Sequence, residues 1–63
     1  MRAVTVSWYL FRGSELVEYG WSNSLDEARV MARSVAMTEG ADRGLITVDL
    51  AGQGEVYRET ISL

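Results

Sequence analysis

Cysteine, histidine, lysine and proline are all absent from this chain. Without cysteine there is no disulfide, and the redox compartment leaves no trace. Without cysteine and histidine together, a thiolate or imidazole metal site is excluded, and only an all-carboxylate site remains. Without histidine or lysine, no ordinary base is at hand to activate a serine. No apolar run approaches the ~20 residues of a membrane helix. Arg12 interrupts the N-terminal run before it reaches the length of a signal peptide. The chain is therefore expected to be soluble and cytoplasmic, with no membrane partner, metal or cofactor. A domain this small buries only about 60% of its unfolded surface, so its stability must come from good packing or from a partner.

What is present is a folded domain's share of apolar residues, 48%. Nine acids face six bases, all arginine, for a net charge of −3. Such a chain repels nucleic acid at long range and suits a basic partner. With no proline, glycine punctuates the chain at Gly13, Gly20, Gly40, Gly44, Gly52 and Gly54.

Five of the six aromatics lie between Val6 and Trp21. Residues 3–11 and 15–21 read as strands, rich in β-branched and aromatic side chains. Gly13-Ser14 suits a two-residue type I′ or II′ turn that pairs Arg12 with Glu15. Continuing without interruption pairs Leu10 with Val17, Trp8 with Tyr19, and Val6 with Trp21. These six, with Val4 beyond them, would form one inward face. Thr5, Ser7, Tyr9, Phe11, Leu16 and Glu18 would lie on the other.

Ser24-Leu25-Asp26-Glu27 reads as a capping box that opens a helix over 25–39, with Gly40 beyond its end. Leu25, Ala28, Met31, Ala32, Val35 and Ala36 form a stripe of largely small residues, suited to a sheet bearing large rings. Val30 and Met37 project together on the far side as a second apolar patch. Residues 45–50 and 55–62 read as a second hairpin. A loop of two or four residues puts Tyr57 and Ile61 on the face of Ile46, Val48 and Leu50, at the expense of turning Glu55 and Glu59 inward. The expected architecture is α+β, in the order β-β-α-β-β. It is a four-stranded, largely antiparallel sheet with one helix on one face and nothing on the other.

Each candidate site has a structural reading beside it. Asp26 and Glu27 are explained by the helix start, and Gly52-Gln53-Gly54 lacks the following helix and lysine of a phosphate loop. No catalytic residue is assigned and no enzyme activity is expected. The open sheet face is the main candidate: Tyr9, Phe11 and Leu16 rimmed by Glu18, Thr47, Asp49 and Arg58, an apolar patch with a polar border. Glu55, Glu59, Asp26 and Glu27 are the further carboxylates through which an acidic chain could meet a basic partner.

The stretch Ser24-Leu25-Asp26-Glu27-Ala28 after a hairpin resembles the corresponding junction of HicB-type antitoxins over the first forty residues, without the added DNA-binding segment of many of them. In profile the chain is similar to small phage-encoded inhibitors of the anti-CRISPR type: about sixty residues, acidic, single-domain, starting at Met1. That likeness implies an inhibitor that occupies the basic channel of a nucleic-acid-handling protein or complex by electrostatic mimicry or occlusion. The alternative is an antitoxin-like or homodimeric adaptor using the open sheet face. A third reading is a small RNA-binding domain, although direct nucleic-acid binding is not expected of this charge.

Overall fold

A computed structural model describes residues 3–63. The elements are β1 (Val4–Arg12), β2 (Glu15–Ser22), α1 (Leu25–Glu39), β3 (Arg43–Leu50) and β4 (Gly54–Ser62), in the expected α+β order. The four strands form one antiparallel sheet ordered β2-β1-β3-β4. The helix lies over β1, β2 and β3.

At the first turn Arg12 faces Glu15 as expected. Gly13 has φ 62 and Ser14 does not share the positive φ, which makes the turn type II′. The turn is tied to the far end of the helix: the Gly13 N–H donates to Asp42 Oδ2 at 3.0 Å, and the Asp42 N–H donates to the Phe11 carbonyl at 2.9 Å.

Two residues later the register departs from the uninterrupted one. Phe11 faces Leu16 but Leu10 faces Glu18, so Val17 is the extra residue of a bulge. Every pair beyond it is displaced by one: Tyr9 faces Tyr19, Trp8 faces Gly20, and Ser7 faces Trp21. The displacement turns Tyr19 and Trp21 out of the core and Glu18 onto the helix side. The steric reason lies at Gly20. A Cβ there would come within 2.8 Å of Cε2 and 3.0 Å of Cη2 of the Trp8 indole. The ring lies across the neighbouring strand where only a glycine leaves room. Gly44 serves Ile61 in the same way, since a Cβ would meet its Cγ1 at 2.6 Å.

The second hairpin reaches its expected facing by another route. Its loop has three residues, not two or four: Leu50 faces Gly54, and the Gln53 N–H donates to the Leu50 carbonyl at 3.0 Å. A three-residue loop alone would turn Val56 and Arg58 inward. A bulge at Val56 restores the parity, so that Tyr57 faces Val48, Glu59 faces Ile46 and Ile61 faces Gly44. Glu55, expected inward, lies before the bulge, faces Asp49 and is on the open side.

The core consists of Val6, Trp8, Leu10, Ala28, Ala32, Ala36, Ile46 and Ile61, with Val17, Leu25, Val35, Ala41 and Val48 against it. The alanines at every fourth position let the helix approach the indole closely. Met31, expected in this stripe, and Val4, expected inward, are both exposed. At the helix start the Glu27 N–H donates to Ser24 Oγ at 3.1 Å, so the serine half of the capping box forms. Gly40 closes the helix at φ 67.

Gly20→Ala should destabilise the chain by about 1–3 kcal/mol through overpacking against Trp8. Urea unfolding followed by far-ultraviolet circular dichroism measures it. An unchanged midpoint would contradict the close approach of indole and backbone.

Candidate functional site

Alternation from the observed register lays out the uncovered side of the sheet as successive cross-strand rows. One row is Leu16, Phe11, Arg43 and Ser62. The next is Tyr19, Tyr9, Leu45 and Thr60. A third is Trp21, Ser7, Thr47 and Arg58, and the last is Thr5, Asp49 and Glu55. Four rings thus share this face, not two. Trp21 is 76% exposed and Tyr19 60% exposed, while Tyr9 and Phe11 are half-buried between neighbouring strands. Leu16 adds a further exposed apolar side chain.

The electrostatics of the face come from four residues. The Arg43 guanidinium carbon sits 4.7 Å from the Phe11 ring centroid, a cation–π arrangement. Arg58 forms a bidentate pair with Glu55, at 2.9 and 3.0 Å. That pair holds the Glu55 carboxyl below its ordinary value, chiefly through the Arg58 hydrogen bonds. Asp49 has no side-chain partner among the described residues, and Arg43 has no carboxylate partner there. Thr47, expected on the rim, is buried between its strand neighbours.

The remaining carboxylate candidates are elsewhere. Glu18 is on the helix side at the β2 edge, where its Oε1 accepts from the Tyr19 N–H at 3.0 Å. Glu59 is on the helix side of β4, and its inward parity is answered by Arg29 of the helix. Arg29 Nη2 and Nε donate to Glu59 Oε1 and Oε2 at 2.7 and 3.0 Å. Tyr57 Oη donates to the same carboxylate at 2.9 Å, and Asp26 takes another Arg29 N–H at 3.2 Å. Asp26 and Glu27 are exposed at the helix start. The carboxylates therefore form no single cluster. Val30 and Met37 are exposed on the helix as expected. Met37 also lines an open groove with Arg33, Ala36, Ala41, Ser62 and Leu63.

Among the described residues, no three acids are placed to hold a metal ion, and no helix is long and apolar enough to cross a membrane. No known protein family, curated protein or solved structure matches the chain.

Sequence reasoning missed Tyr19, Trp21, Leu45 and Arg43. For Tyr19 and Trp21 the available signal was Gly20, since a glycine inside a strand marks a bulge or a close approach.

The hydrogen bonds from Arg29 hold the Glu59 carboxyl below its ordinary value of 4.5, against the opposing effect of its burial. A depressed carboxyl contributes stability that is fully present above its unfolded value and is lost as pH falls through the folded one. Wild type should therefore lose stability on acidification below 4.5, and Glu59→Gln should flatten part of that acid limb. Thermal melts across the acid range measure the difference, and parallel acid limbs would contradict the assignment.

Proposed function

We propose that this chain is a non-enzymatic protein-binding module that acts by occluding a partner's surface, with the open sheet face as its principal contact. The observation that carries this reading is the exposure of Tyr19 and Trp21 beside Tyr9, Phe11 and Leu16. A sheet face that displays several rings with a polar border has the composition of an interface core. Covering the exposed parts of Tyr19 and Trp21 alone would contribute on the order of 5 kcal/mol before the costs of association.

Acidity supports a second, compatible contact. The net charge of −3 and the exposed Asp26 and Glu27 suit a basic partner, as in the anti-CRISPR type of inhibitor. Dispersal of the carboxylates favours occlusion over mimicry of a nucleic-acid backbone. The antitoxin-like adaptor is the same occlusion reading with a different partner. Single-stranded RNA is the least supported ligand. Arg58 is engaged by Glu55, and Asp49 shares the face with the only carboxylate-free guanidinium described there, that of Arg43.

The direct test is capture of partners from cell lysate by immobilised wild type, Tyr19→Ser/Trp21→Ser and Val30→Ser/Met37→Ser. The reading expects a protein retained by the first and third but lost from the second. Equal retention by all three would refute the sheet face as the principal contact. Contact through the acids should in addition weaken steeply with salt. Trp21 supplies a probe for the RNA alternative: its fluorescence should not respond to single-stranded oligonucleotides at low salt, and a saturable quench would favour that alternative.

A further inference from the structure

We infer that the partner of the open sheet face is a second copy of this chain, packed face to face about a two-fold axis that runs across the strands. This rests on the sheet-face reading above and adds the occupant. The first support is charge. Arg43 and Asp49 lie at opposite ends of β3 on the same face, six residues and about 20 Å apart. Neither has an oppositely charged side-chain partner among the described residues. Arg43 is an exposed residue already held over the Phe11 ring. A two-fold axis midway between them brings Arg43 of each copy to Asp49 of the other, giving two equivalent ion pairs. An isologous interface requires this self-complementarity.

The second support is the register. The midpoint of Arg43 and Asp49 on β3 is Ile46, and the row through Ile46 contains Trp8 and Gly20. The axis across that row sets Trp21 of one copy against Tyr19 of the other, and Tyr9 against Ser7. Along the strands these rings lie one residue from the axis, and the paired charges of the inner strand β3 lie three residues from it. Sheets packed in this way stand about 10 Å apart.

The third support is area and the state of the edges. The longer extents of the molecule, 37 and 20 Å, limit the face to about 700 Å², close to the roughly 800 Å² per partner of a standard interface. Edge-to-edge association is disfavoured: β2 carries the Val17 bulge, and β4 carries the Val56 bulge with Glu55, Arg58 and Glu59. A nucleic-acid strand would meet Asp49 and Glu55 on the same face. In the dimer the helices face outward, and a foreign protein reaches the sheet face only by displacing the second copy.

Sedimentation of the purified chain tests this through paired charge reversals. Wild type should sediment as a dimer. Arg43→Asp places two acids, and Asp49→Arg two arginines, where each pair should form. Either variant alone should lose self-association by more than about tenfold, with the folded circular dichroism spectrum retained. An equimolar mixture of the two should restore a dimer, because each copy then meets its opposite charge. Tyr19→Ser/Trp21→Ser should be monomeric with no rescue by mixing. A monomeric wild type at NMR concentrations overturns the second-copy assignment and leaves the sheet-face reading to its own capture test. A dimer unchanged in all three variants overturns the assignment and shows that self-association uses another surface. Loss in the single variants without rescue in the mixture overturns the two-fold geometry.

Discussion

The indole of Trp8 lying across Gly20 is the contact on which the rest of the structure depends. A ring of that size in so small a core needs space that a neighbouring strand with a Cβ would occupy. Placing Gly20 under it requires one residue more in β2 than in β1, and Val17 supplies it as a bulge. The same displacement fixes what the protein displays. Tyr19 and Trp21, one residue to either side of Gly20, are turned to the open face by the period of two along a strand. The core is correspondingly spare, with three alanines on the helix against one indole and a few aliphatic side chains.

A second constraint operates at the β4 side, which the helix does not reach with its backbone. There Arg29 extends from the helix and binds Glu59 through two hydrogen bonds, with Tyr57 adding a third to the carboxylate. A carboxylate of inward parity is thus made compatible with a small core. Its neighbour Glu55 is removed from that side by the Val56 bulge. Two bulges and one ion pair therefore resolve the conflicts between polar pattern and sheet geometry. The face left uncovered carries the rings, and the charges without an ion-pair partner among the described residues, that give the proposed dimer its interface.

Much of this was legible in the sequence and some was not, for physical reasons. The helix from Leu25 to Glu39 announces itself through Ser24, Gly40 and the alanine spacing. Four strands in the order β-β-α-β-β follow from alternation and glycine turns. Tyr9, Phe11, Leu16 and Asp49 lie on the open face, where simple alternation puts them, because they precede or escape the displaced registers. Tyr19, Trp21, Glu18 and Glu55 fall on the wrong face in an uninterrupted alternation, which cannot see a bulge. Maximising apolar area on one face favoured Tyr19 and Trp21 as core. The volume of one Trp8 ring over Gly20 overrides that preference. In the second hairpin two irregularities compensate: an odd loop and a bulge leave Tyr57 and Ile61 facing as an even loop would have done.

The measurement that bears most directly on this account is the proton NMR environment of Gly20. A glycine beneath an indole must have its Hα resonances moved strongly upfield by the ring current, with nuclear Overhauser contacts to the Trp8 ring. Ordinary Gly20 shifts, together with contacts from Trp8 to the Tyr19 ring, would mean an uninterrupted register. They would return Tyr19 and Trp21 to the core and remove the displayed face.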